Sequence, residues 1–184
     1  SALIAPLDWG LGHATRCIPL ISYLTELGWE VSLAAEGNTA ALLTREFPQL
    51  KLIPLKGYRI SYPRKGILFI PKIILQVPKI IQAIKYEHRW LDQQLDTNQW
   101  DLIISDNRYG LHTSRAKTVF ITHQLGIISG FGRLGDLLLR IMLYQWINRF
   151  NSCWIPDAAG DINIAGKLSH PSSMPNHHAF IGPL

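Results

Sequence analysis

Short apolar runs alternate with helical patterns along most of this chain, and that alternation restricts it to a largely parallel sheet wrapped by helices. Strands are expected at Ala2–Ala5, Val31–Ala35, Lys51–Pro54, Leu102–Ser105, Thr118–Thr122, Ser152–Ile155 and Ala179–Ile181. A helix over Ala14–Leu27 gathers Cys17, Ile18, Ile21, Leu24 and Leu27 on one stripe and stops at Gly28. Pro19 lies early enough in it to be tolerated or to bend the first turns. A second helix, Thr39–Phe47, ends before Pro48. The fold class is α/β: a doubly wound, mostly parallel sheet of about seven strands with helices on both faces. No linker, repeat or low-complexity segment divides residues 1–184, so one domain is expected.

At 184 residues, with 47% hydrophobic and 17% charged, the chain can bury a substantial core and is not of the disordered class. Its net charge of +5 favours anionic partners: phosphates, nucleic acid or an acidic membrane surface. The basic residues are scattered and the aromatics lie inside apolar runs, so a nucleic-acid partner is not expected. Cys17 and Cys153 are far apart in apolar surroundings, which supports neither a disulfide framework nor a zinc site and points to the cytoplasm. The chain opens directly on a strand without a basic leader, and Lys72, Lys79 and Arg140 interrupt the longest apolar stretches. A peripheral contact with the inner face of the membrane stays open.

Two segments depart from the plain pattern. Between the third and fourth strands, Lys56, Arg59, Arg64, Lys65 and Lys72 interleave with Tyr58, Tyr62, Phe69 and Ile73. Such a surface suits an anionic lipid interface or an acceptor contact through Arg59, Arg64 and Lys65; equally, its apolar residues pack on the sheet while the lysines are solvated. A helix over Gly130–Phe150 is apolar on more than one stripe, as a buried, membrane-facing or partner-facing helix would be.

The chemistry concentrates at Asp8-Trp9-Gly10-Leu11-Gly12-His13-Ala14-Thr15-Arg16, which reads as strand, glycine loop and helix N-terminus. Unpaired N–H groups and the helix dipole favour an anion there, beside a titratable ring. Gly10 and Gly12 suggest a dinucleotide site, with Glu36 near the usual separation of about 20 residues for a ribose-binding acid. That pattern lacks its third glycine, because position 15 is Thr15, and His13 and Arg16 crowd the place of a pyrophosphate.

Gly12-His13, the apolar helix, Gly28-Trp29-Glu30-Val31 and the second strand resemble the opening of the GT-B glycosyltransferases. The likeness is to the family-28 group, which contains the lipid-linked peptidoglycan-precursor N-acetylglucosaminyltransferases, and extends over Ala2–Gly37 and Trp100–Gln124. It implies that the chain is the N-terminal, Rossmann-like, acceptor-binding half of a GT-B fold, with a glycan or lipid-linked acceptor from cell-envelope glycan biosynthesis. It also implies a nucleotide sugar, UDP-linked, as co-substrate, with no cofactor and no metal. The first loop departs from the peptidoglycan enzymes in having Trp9-Gly10-Leu11-Gly12 instead of a denser glycine run. Phe180-Ile181-Gly182-Pro183-Leu184 resembles the start of a linker to a C-terminal donor-binding domain, which is expected to be missing here. The chain would then be a truncated half or one subunit of a split transferase, inactive alone.

In a sheet ordered 3-2-1-4-5, the ends of the first and fourth strands adjoin at the switch point, where open α/β sheets bind ligands. Asp106 is then able to hold the tautomer of His13 for removal of a proton from an acceptor hydroxyl; as an alternative, Asp106 closes the strand as a turn or N-cap residue. Gly10, Leu11, Gly12, Arg16, Asn107, Arg108, His123 and Gln124 are candidate substrate-binding residues on the same rim. Arg16 contacts a phosphate or lies exposed on the first turn, and His123 meets a ligand or satisfies backbone at a strand end. His177 and His178 point opposite ways on an extended chain and do not suggest a metal. The competing class is a non-catalytic module that docks a membrane or a partner protein through Lys56–Lys72.

Overall fold

The computed structural model describes residues 1–59, 69–126, 132–160 and 163–184. Seven strands, β1 (Ala2–Pro6), β2 (Val31–Ala35), β3 (Lys51–Pro54), β4 (Leu102–Asp106), β5 (Lys117–Ile121), β6 (Ser152–Ile155) and β7 (His178–Phe180), form one sheet. Their order is β3-β2-β1-β4-β5-β6-β7. Each neighbouring pair is parallel, so the sheet is parallel throughout and not just mostly so.

β1 lies inside the sheet with all five residues buried, which is why it is apolar at every position instead of alternating. Ala2 and Ile4 pack towards α1 (Leu11–Glu26) and α2 (Gly37–Glu46). Leu3 and Ala5 meet Trp90, Leu91 and Leu95 of α3 (Phe69–Leu95) on the opposite face. The register Ala5–Ser105–Phe120–Cys153 carries that second face to α4 (Gly132–Ile147), whose Ile147 packs with Phe120 and Cys153. Packing on the sheet therefore accounts for the later part of α3, whereas α4 is divided: Ile147 is buried, but Leu134 and Leu138 are 76% and 65% exposed.

α1 buries Ala14, Cys17, Ile21 and Leu24 along one stripe and contains Pro19. Gly28, at φ 79°, gives its N–H to the Thr25 carbonyl at 3.0 Å and ends the helix as the sequence suggests. The helix starts earlier than expected, at Leu11, because Gly10 at φ 83° takes the N-cap position. His13 consequently occupies the first helical turn.

Candidate functional site

The register pairs Pro6 with Asp106, so the C-terminal ends of β1 and β4 lie side by side. The Asp106 side chain faces α1 and is wholly buried. Its Oδ2 lies 3.0 Å from His13 Nδ1 and accepts from Arg16 Nε at 3.3 Å, while Oδ1 accepts from Arg16 Nη2. Arg16 Nη2 lies 3.0 Å from the same His13 Nδ1, so that nitrogen is engaged from both sides and Nε2 is the ring nitrogen left for a ligand. Arg16 Nη1 also reaches His123 Nδ1 at 2.7 Å. Burial first, and then the Arg16 guanidinium, push the His123 imidazole below its ordinary pKa. Cys17 Sγ is 4.0 Å from Asp106 Oδ2, and burial pushes this thiol well up.

His13, Arg16, Asp106 and His123 thus come from α1 and from the ends of β4 and β5 to one point. Arg16 is neither solvated nor aimed outward, since it supplies the positive charge that a fully buried carboxylate requires. The turn role for Asp106 is replaced by these side-chain bonds. Gly10, Leu11 and Gly12 are exposed at the mouth of α1. Asn107 is 5% exposed at φ 57°, and its N–H donates to the Ile121 carbonyl at 3.1 Å. Gln124 is exposed, with its backbone N–H fixed by Thr122 Oγ1 at 3.0 Å.

A cleft of about 370 Å³ opens beside this rim, lined by Asp8, Gly10, Leu11, Glu36, Asn38 and Arg59 among others. The loop after β3 is tied across it: the Tyr58 N–H donates to Asp8 at 3.2 Å, and the Gly57 N–H donates to Glu36 at 2.7 Å. A Cβ on Gly57 would lie 1.8 Å from Asp8 Oδ2, so any other residue there displaces the Asp8 carboxylate. Arg59 donates to both Glu36 oxygens, at 3.1 and 2.9 Å, and this bond is the main cause of the lowered Glu36 carboxyl pKa. Arg64 and Lys65 lie outside the described residues. Among the described residues, no group of three or more His, Cys, Asp or Glu side chains is placed to hold a metal ion.

Arg108 corrects the sequence reading. It is fully buried and cannot contact a substrate. Asn107, in the left-handed region, turns the chain so that Arg108 passes beneath the rim to the α3 side. There Nε donates to the Pro6 carbonyl at 2.9 Å, and Nη1 donates to the Lys56 carbonyl at 3.0 Å and to Glu87 Oε1 at 2.9 Å. Glu87 Oε2 accepts from Tyr58 Oη at 2.9 Å and from the Gly110 N–H at 3.0 Å. Burial raises the Glu87 carboxyl to about 7 against the opposing pull of Arg108. Sequence reasoning missed Glu87, although a signal exists: it is an acid on the apolar stripe with Ile84 and Leu91. Asp157 was missed as well; its buried carboxylate accepts from the Ile164 and Ala165 N–H groups and from Ser169 Oγ, shaping the loop after β6. Those bonds hold it well below the usual carboxylate range.

No protein-family model matches the sequence. An uncharacterized glycosyltransferase of Methanosarcina acetivorans is 25% identical over 193 residues, covering 95% of this chain and 47% of the relative. The chain therefore spans about half the length of the curated relative it matches. Among solved structures, CalG4, the calicheamicin glycosyltransferase, superposes with a TM-score of 0.58 at 13% identity, over 99% of this chain and 52% of that one. MurG of Acinetobacter baumannii gives 0.53 at 12% identity, over 100% of this chain and 45% of that one. The chain has the fold of a GT-B glycosyltransferase half. In this GT-B half the four-residue cluster sits at the β1/β4 switch point, with Arg108 and Glu87 as the buried support below it.

Proposed function

We propose that this GT-B half binds the acceptor of a glycosyltransferase and removes a proton from its nucleophilic hydroxyl. The observation that carries this reading is the 3.0 Å contact between His13 Nδ1 and buried Asp106, which leaves Nε2 as a base. The acceptor O–H proton passes to Nε2 and the oxygen forms a bond to the anomeric carbon of a nucleotide sugar. The bond from that carbon to the diphosphate breaks, and the nucleoside diphosphate departs with the electron pair. Gly10, Leu11, Gly12, His123, Asn107 and Gln124 line the approach to the base, and Arg16 acts through the rings it holds. The donor, UDP-linked, is bound by a second half, as a further domain or a separate subunit, and no cofactor or metal takes part.

The acceptor is a glycan or a lipid-linked saccharide of the cell envelope, met at the cytoplasmic face of a membrane. No helix among the described residues is long and apolar enough to cross a membrane. A peripheral contact is favoured by the exposed apolar side chains of α4, which include Leu134, Leu137, Leu138 and Ile141, together with the net charge of +5. Transfer is tested by supplying a protein that contains both halves with a panel of UDP-sugars and polyprenyl-phosphate-linked saccharides, reading UDP release. Release that depends on acceptor supports the reading, and donor hydrolysis indifferent to every acceptor opposes it.

A further inference from the structure

We infer that Arg16 is a positioning residue that fixes the tautomer of His123, making this ring a hydrogen-bond donor to a ligand at the rim. Guanidinium nitrogens only donate. At 2.7 Å from Arg16 Nη1, the Nδ1 of His123 therefore accepts, and its neutral ring carries its proton on Nε2. The Nδ1 of His13 is placed differently, between Asp106 Oδ2 at 3.0 Å, which only accepts, and Arg16 Nη2 at 3.0 Å, which only donates.

Neither Nε2 has a hydrogen-bond partner among the described residues, and both rings keep an exposed edge, with 14% of the His13 side chain accessible and His123 partly buried. On its His123 side the rim thus offers a ligand an N–H beside the Arg16 guanidinium. A sugar hydroxyl that gives its proton to His13 is matched by a second ligand oxygen, a neighbouring hydroxyl or a carbonyl, that accepts from His123. An ammonium at that second position has no lone pair to offer and is rejected. The pairing with an acceptor rests on the glycosyltransferase reading, whereas the tautomer itself does not.

Long-range ¹H–¹⁵N correlation spectra of the 184-residue chain at pH 8.5 read each ring directly. His123 is expected to show a bare Nδ1 and a protonated Nε2. In Arg16→Met, this pattern relaxes to a mixture of tautomers. In a protein with both halves, His123→Leu lowers kcat/KM for the acceptor by about 10- to 100-fold, as loss of one donor does, and His123→Gln restores most of it. A protonated Nδ1 on His123, or a His123 pattern unchanged in Arg16→Met, overturns the inference even if transfer is found. The expected tautomer without transfer leaves Arg16 as the positioning residue and removes the acceptor reading alone.

Discussion

Glu87→Gln should destabilise this protein more than Arg108→Met, although each breaks the same buried pair. Both partners are fully buried, and their 2.9 Å bond is the ion pair that Arg108 makes in the core. Arginine cannot shed its proton, so above pH 7, where Glu87 is ionised, Glu87→Gln strands a full charge in the core, at a cost of about 3–5 kcal/mol. For a chain of this length that corresponds to a fall in Tm of about 6–20 °C. Arg108→Met leaves a carboxyl group that can take up a proton instead. Its cost reduces to the lost hydrogen bonds to the Pro6 and Lys56 carbonyls and to Glu87, about 1–3 kcal/mol near pH 6. The pH dependence follows from the raised Glu87 carboxyl, which moves from its ordinary value of 4.5 to about 7. Between those values the folded state binds more protons than the unfolded one, so this group's contribution is present at low pH and lost as pH rises, by roughly 3 kcal/mol. Without Arg108 the carboxyl rises further, and the stability of Arg108→Met should keep falling between pH 7 and 9, where wild type levels off. Thermal unfolding followed by circular dichroism at pH 5.5, 7 and 9 measures both effects. Equal losses in the two variants, or an Arg108→Met profile parallel to wild type, would refute the argument from buried charge.

Three further outcomes are expected. Gly110→Ala sets a Cβ 2.3 Å from the Ile84 carbonyl oxygen and should cost about 1–3 kcal/mol, seen as a lower urea midpoint. Asp106→Asn, in a protein with both halves, should lower kcat by about 100-fold or more while donor KM stays unchanged, since the amide no longer meets both His13 and Arg16 as a charged acceptor; an unaltered kcat argues against the pair. Co-sedimentation with vesicles should require anionic lipid, weaken with salt and fall in Leu138→Glu, and binding indifferent to all three removes the membrane contact.

Much of the fold was legible because short apolar runs, broken by helical patterns, mark the strands of a parallel sheet. β2, β3 and β6 run over the expected residues, and β5 and β7 are displaced by one residue. The juxtaposition of His13 with Asp106 was also legible, since strand order alone decides which loop ends adjoin. Arg108 was not. Its position two residues beyond Asp106 suggests the same rim, and only the left-handed Asn107 sends it below. Glu87 and Arg108 are distant in sequence and meet because Gly110 lets the loop after β4 lie against α3. The link from Arg16 to His123 depends on side-chain reach across the end of the sheet, for which residue spacing carries no signal.

The base role of His13 is tested most directly by turnover of His13→Ala in a protein that contains both halves, with a UDP-sugar and a saccharide acceptor. The expected result is a fall in kcat of roughly 100-fold or more, with donor KM unchanged. A kcat equal to wild type would contradict the assignment of His13, and with it the proposed site at the ends of β1 and β4.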